Sequence, residues 1–351
     1  MRLFIFADPH WSSYSSIVRS RGDKYSTRLE NLIDTMNWVE EEALKQNCNA
    51  IVCLGDFFDK SELNSEEITA LQEIKWSDLP HYMLIGNHEM GRGNLEHTSS
   101  HLFKLMPNVN VLNFPFVYDT YKGTKILFLP YILETHRKPL KEYVTNPTIN
   151  EDLIILSHND IAGIQMGKFV STSGFSIKEI EENCKLFING HLHNEAEIGR
   201  NIINIGNITG QNFSEDAFKY SHNAIVLDTE EHTVDKINNP YSLNFYKLDL
   251  TYMRPIIDDK DICKSIDSLR YPAVATIKVN SDCEFMVRDL LSDAKNIIEC
   301  KLLVERSHTN INDTVTSNTS SVDHISKFIE YVNNNISNDA ITNDELERIS
   351  K

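Results

Sequence analysis

The sequence predicts an α/β fold built from two β layers with helices outside them. Two observations carry this. Five short apolar runs read as buried strands, and each ends in a side chain competent to bind a metal ion. An amphipathic helix also links the first two runs as a crossover, which parallel strands require. The organising stretch is Ala50 to Asp59, an apolar run followed by Gly55-Asp56 and then Asp59. Asp8 and His10 follow Leu3-Phe4-Ile5-Phe6-Ala7, and Asn87 and His88 follow Tyr82-Met83-Leu84-Ile85-Gly86. His158 follows Leu153 to Ser157, and His191 and His193 follow Leu186 to Gly190. In open α/β sheets ligands bind at the carboxyl ends of strands. Any one exit is ordinary turn chemistry; five with the same ending are not.

The elements follow in order. After the first strand, residues 11–26 form a Ser/Tyr/Arg-rich loop without periodicity. Thr27-x-x-Glu30 then reads as a capping box, and Leu29, Leu32, Ile33, Met36, Val39 and Ala43 repeat at helical spacing to near Gln46. A weaker helix is expected over Ser65 to Lys75, and another from about Asn94 to Leu105, after the flexible Gly91-Arg92-Gly93. Val109 to Leu112, Phe116 to Tyr118 and Lys125 to Leu129 read as strands, with Lys122-Gly123 as a hairpin turn. Ile202 to Ile205 and Ala224 to Leu227 continue the series, which calls for a second sheet packed on the first.

The character changes near residues 250–256. Ala273 to Val279, Glu284 to Ala294 and Ile298 to Val304 read as strand, helix, strand, a small β-α-β unit. The expected organisation is a main domain over 1–250, a capping domain over 256–306, a polar linker over 307–320 and a helical tail over 321–351. The tail carries Val322, Ile325, Ile329, Val332 and Ile336 on one side.

At 351 residues and 41% hydrophobic content the chain fills a sizeable core. No apolar run reaches the ~18 residues of a membrane span. Strand residues begin directly after Met1-Arg2, so no signal peptide is expected, and the protein is expected in the cytoplasm of a bacterial cell or phage-infected host. Six dispersed cysteines without a C-x-x-C pair argue against a thiolate zinc site or disulfide framework. The net charge of −17 argues against a generic basic nucleic-acid binder. Bound divalent cations would offset that objection locally.

Carboxylate, amide oxygen and imidazole together suit a borderline-hard divalent ion such as manganese, iron or zinc. Asp8, His10, Asp56, Asn87, His158, His191 and His193 exceed the needs of one ion, so one of them must bridge two, and Asp56 is the natural bridge. The remaining histidines read as surface or core residues. His97 and His101 are expected on a helix surface at i, i+4.

The blocks D-x-H (Asp8, His10), G-D-x-x-D (Gly55, Asp56, Asp59), G-N-H-E (Gly86 to Glu89), a lone His158 and G-H-x-H (Gly190, His191, His193) occur in an order that resembles the calcineurin-like metallophosphoesterases. The resemblance implies a four-layer α-β-β-α fold. It places Asp8, His10, Asp56 and His193 on a first ion, and Asp56, Asn87, His158 and His191 on a second. The ions implied are manganese, with magnesium as the substitute. His88 would contact the scissile phosphate and assist the leaving oxygen, with Asp59 in a supporting catalytic role. Asp59-Lys60 and His10-Trp11 depart from the protein phosphatases, which have Arg-Gly after the second block and Gly after the first. The layout is more similar to SbcD-type nuclease subunits and the small subunits of phage recombination endonucleases. Residues 205–210 resemble the segment those nucleases place after G-H-x-H, with Asn207 where Ser is usual. The resemblance therefore implies a DNA exonuclease or endonuclease, a homodimer, and an SbcC-type coiled-coil ATPase partner docking on residues 321–351. The rival readings are a small-molecule phosphodiesterase or phosphatase on the same fold and a catalytically idle binding subunit.

Overall fold

The computed structural model describes residues 1–15, 20–21, 24–120, 123–143, 153–166, 169–254 and 257–306. The expected linker and tail over 307–351 lie outside the described residues. Along the chain the main elements are β1 (Arg2–Phe6), α1 (Thr27–Lys45), β2 (Ala50–Cys53), α2 (Ser65–Ala70), β3 (His81–Leu84), β4 (Val109–Leu112), β5 (Phe116–Asp119), β6 (Lys125–Leu129) and β7 (Leu153–Ser157). They continue with α3 (Ile177–Asn183), β8 (Leu186–Asn189), β9 (Ala196–Ile198), β10 (Ile202–Asn204), β11 (Asn223–Asp228), β12 (Thr233–Asn238) and β13 (Asn244–Leu250). Last come α4 (Asp259–Asp267), β14 (Ala273–Asn280), α5 (Glu284–Asp293) and β15 (Ile297–Glu305).

Two six-stranded sheets result, ordered β12-β11-β1-β2-β3-β4 and β9-β10-β8-β7-β6-β5. The strands that carry candidate ligands, β1, β2 and β3 in one sheet and β7 and β8 in the other, run parallel to their ligand-bearing neighbours. Their exits therefore open on one side of each sheet. The alternation within β1 sets the layers. Leu3 and Ile5 pack with Val52, Ile126, Phe128, Ile154 and Ile188 between the sheets, whereas Phe4 and Phe6 pack against Leu29, Leu32, Met36 and Val39 of α1. Leu127, Ile155 and Phe187 turn to the outer side of the second sheet and meet Ile180 of α3. Strands buried on both faces must be apolar at every position, which is why they read as continuous runs. The four-layer α-β-β-α arrangement is thus present.

The third sheet is β13-β14-β15, all parallel, and α4 and α5 bury Ile262, Ile266 and Val287 against it. It begins at Asn244, upstream of the 250–256 region where the sequence changes character.

Three local expectations differ from the structure. The cap of α1 is Ser26, whose hydroxyl accepts from Leu29 N, so Thr27 is the first helical residue. The second helix is short: α2 ends at Ala70 and a 3₁₀ turn covers Leu71–Glu73. No α-helix forms over 94–105. Asn94–Thr98 is a strand paired with Met90–Gly91, and Ser99–Leu105 is 3₁₀. Arg92, at φ 57°, turns the chain into this hairpin. The Thr98 hydroxyl then accepts from Ser100 N, a local bond that favours a tight turn over a helix interior. His97 and His101 are therefore not neighbours on one helix face.

Candidate metal centre

The five strand exits meet at one place. Two backbone bonds lock the first exit to the second: Asp8 N donates to Gly55 O (3.2 Å) and His10 N to Asp56 O (3.0 Å). Asp8, His10, Asp56 and His191 all adopt left-handed backbone, with φ of 53°, 49°, 47° and 68°. Non-glycine residues hold such conformations only where the surroundings over-determine them, and they gather at functional sites.

Asp8, His10 and His193 each offer a ligand atom within 4.8 Å of the others, and so do Asp56, His158 and His191. A third such group, His10, Asp56 and His88, joins the two. His10 Nε2 lies 3.9 Å from Asp8 Oδ1 and 3.8 Å from Asp56 Oδ2. These gaps are too long for hydrogen bonds, but they suit two donors about 2.1 Å from one ion. His158 Nε2 lies 3.1 Å from Asp56 Oδ2 and 3.3 Å from Asn87 Oδ1. Asp8 Oδ1, His10 Nε2, His158 Nδ1 and His191 Nδ1 are buried without a hydrogen-bond partner. Orphaned buried acceptors are costly, and a cation relieves that cost, so these residues fit divalent ions.

Electrostatics follow from the crowding. Burial opposes ionisation of Asp56, but His158, His10 and His88 overcome it and hold the carboxyl far below its ordinary range. Burial would lower His158, yet the Asp56 carboxylate beside it carries it up to about 9. Burial lowers His193. Hydrogen bonding to Asp59 raises His88 to about 9.

His88 lies at the rim, with its side chain 41% exposed. Its backbone N donates to Asp56 Oδ1 (2.9 Å), and its Nδ1 lies 3.1 Å from Asp59 O. Asp59 also holds His10, with Oδ1 2.9 Å from Nδ1, which turns His10 Nε2 toward the ligand cluster. A carboxylate behind a ligating imidazole fixes its tautomer and orientation.

The structure adds residues outside the sequence-derived set. Asp160 Oδ1 lies 3.0 Å from His191 Nε2. Its only trace in the sequence is a carboxylate two residues after His158. Arg28, fully buried in the first turn of α1, donates to Pro9 O (2.6 Å) and Gly210 O (2.8 Å), and Gln211 Nε2 donates to Asp8 O (2.7 Å). Burial lowers the Arg28 guanidinium to about 10, so it stays charged at neutral pH. Glu89, the last residue of the third block, accepts from Gly86 N (2.8 Å), Phe58 N (3.1 Å) and Ser100 Oγ (2.9 Å) and so ties the second and third exits together.

Two mixed sheets whose donor-bearing strands run parallel thus bring carboxylate, amide and imidazole donors together at one end, an arrangement suited to a metal-dependent phosphoester hydrolase. The chain belongs to the calcineurin-like phosphoesterase family, whose sequence model matches residues 1–195. Members of this family typically bind two divalent metal ions. No curated protein matches the chain. Among solved structures it is similar to TT1561 of Thermus thermophilus, at 10% identity and a TM-score of 0.40, covering 68% of this chain and 98% of that one. It is also similar to the calcineurin-like phosphoesterase YfkN from Bacillus subtilis, at 10% identity and a TM-score of 0.37, covering 68% and 88%. A dimetal phosphatase from Danio rerio is similar at 11% identity and a TM-score of 0.40, covering 64% and 91%. Among the described residues no helix is long and apolar enough to cross a membrane.

Proposed function

We propose that the protein is a two-metal phosphodiesterase acting on DNA. The observation that carries the two-ion reading is the set of buried, unpartnered donor atoms on Asp8, His10 and His191, with His158 Nε2 beside Asp56 Oδ2 at 3.1 Å. Asp8, His10, Asp56 and His193 would hold one ion; Asp56, Asn87, His158 and His191 would hold the other. Ions bound there supply positive charge to the phosphate and lower the pKa of water. Manganese is the metal proposed. His88, steadied by Asp59 and exposed at the rim, meets the phosphate from the open side and gives its proton to the departing sugar oxygen. Pro9 and Asp8 are held by Arg28 and Gln211, which keeps the first block rigid while substrate enters.

DNA as substrate is supported by the departures from the protein phosphatases at Trp11 and Lys60 and by the nuclease-like segment after G-H-x-H. That segment is tied to the first block, with Ile208 N donating to Ala7 O (2.9 Å). Residues 256–306 are proposed as a cap beside the DNA. The second reading, a small-molecule phosphodiesterase or phosphatase, is favoured by the net charge of −17. Incubation with labelled linear duplex DNA and manganese separates the two. Degradation of the duplex is expected. Hydrolysis of bis(p-nitrophenyl) phosphate and nucleotides alone, with intact duplex, would replace the DNA reading with the second one.

A further inference from the structure

Asp160 lies in none of the five blocks, yet it reaches the candidate centre from the exit of β7. Its Oδ1 is 3.0 Å from Nε2 of His191. The other ring nitrogen, Nδ1, is buried with no hydrogen-bond partner, and His191 shares a ligand cluster with Asp56 and His158. An ionised carboxylate only accepts. The proton must therefore sit on Nε2, which leaves the lone pair on Nδ1. We propose that Asp160 is the positioning residue of the second ion site, presenting His191 as an Nδ1 ligand, and that Arg137 in turn steadies Asp160. This rests on the two-ion reading above.

The carboxylate is held from several sides. Asp160 O accepts from Phe175 N (3.2 Å), and Ile161–Ala162 pairs in parallel with Phe175–Ser176. Gly174, at φ 97°, passes so close that a Cβ there would sit 2.0 Å from Asp160 O. Only glycine permits that approach and that φ. Arg137 Nη2 lies 3.9 Å from Asp160 Oδ2, and the Arg137 side chain is 7% exposed. Its guanidinium is fixed independently, to Glu134 Oε2 (2.9 Å), Ile132 O (3.0 Å) and Asn159 Oδ1 (3.3 Å), and it lies over the Phe175 ring at 4.8 Å. A loose surface ion pair needs no such scaffold. A group that sets a ring orientation does, because an imidazole free to rotate about χ2 presents Nδ1 only part of the time.

The test uses the full chain stripped of metal, in two measurements. Calorimetric titration with manganese reads the affinity of each site, and long-range 15N–1H spectra of the histidine side chains read the tautomer of His191. Wild type is expected to show the Nε2–H form. In Asp160→Ala that preference should disappear, and one of the two manganese sites should weaken about 10- to 100-fold while the other keeps its affinity. Asp160→Asn retains an accepting oxygen, so it should restore the tautomer and most of the affinity. Arg137→Lys, acting from outside, should weaken the same site to a smaller extent. Wild-type affinity and an unchanged tautomer in Asp160→Ala would overturn the proposal, as would equal weakening of both sites. Should Asp160→Ala fail to fold, Arg137→Lys decides: wild-type affinity at both sites would overturn it. If wild type binds a single ion but still shows the Nε2–H form, the two-ion reading fails while the tautomer assignment stands.

Discussion

At the scale of single residues, the candidate centre separates groups that would grip ions from groups that aim them. His88, although it offers a ligand atom near His10 and Asp56, is proposed to belong to neither set. It contacts Asp59 through Nδ1 and lies at the rim, so His88→Ala should leave metal content near wild type and lower turnover by about 10²- to 10⁴-fold. Metal analysis beside a hydrolysis assay checks this, and loss of both ions in the variant would reassign His88 as a ligand. Gly86 works in the opposite direction. A Cβ there would stand 2.1 Å from Asp56 Oδ1 and 2.5 Å from Asp56 N. Since Asp56 is the proposed bridge between the two ions, Gly86→Ala should expel it and deplete both, at a stability cost of about 1–3 kcal/mol. Retention of two ions would show that the loop yields instead.

At the scale of elements, the strand exits were legible because apolar runs buried on both faces end abruptly in donors, and the end of the run marks the boundary. What the sequence concealed are contacts between segments distant along the chain. Arg28 on α1 holding Pro9 and Gly210 has no periodic signature, and neither has Asp160 behind His191. The stretch 94–105 misled because its apolar spacing suits a helix, while Arg92 and Thr98 impose a hairpin and a tight turn. The segment after β10 gives another buried group that only the fold reveals. Glu215 Oε1 accepts from Gln211 N (3.1 Å) and Asn207 Nδ2 (3.2 Å), and burial raises its carboxyl to about 7. Below pH 4.5 the folded and unfolded forms both carry the proton. As pH rises from 4.5 to about 7 the unfolded chain releases it first, so folding stability is lost across that window and is level above it. Glu215→Gln keeps the acceptor and abolishes the titration. Its stability relative to wild type should therefore climb between pH 4.5 and 7 in urea unfolding; a pH-independent difference would mean the carboxyl titrates normally.

At the scale of the whole molecule, one exposed face and the segment 321–351 bear on assembly. Ile68, Leu102 and Leu105 are exposed apolar residues around one cavity of about 420 Å³, with Leu105 86% exposed. We propose this face as a homodimer contact. Sedimentation at micromolar concentration should show a dimer that Leu105→Lys converts to monomer, and a monomeric wild type would end the claim. Docking of an ATPase on residues 321–351 remains a proposal of the same kind. Truncation after Asn310 should preserve thermal stability and metal-dependent hydrolysis while abolishing co-purification with the ATPase, and undiminished co-purification would move the contact elsewhere.

The strand order has a consequence for synthesis. β1 lies inside its sheet, with β2 parallel on one side and β11 antiparallel on the other, Leu3 opposite Leu227 and Ile5 opposite Ile225. β1 is thus completed by a strand made more than two hundred residues later. Until then its outer edge, bearing Leu3, Phe4 and Ile5, offers unpaired backbone groups to any neighbouring chain. Residues 1–195, the stretch that identifies the family, hold the exits that bear the donors but not the strand that seals β1. The catalytic end of the nascent protein can be spelled out in full while its first sheet still lacks a wall.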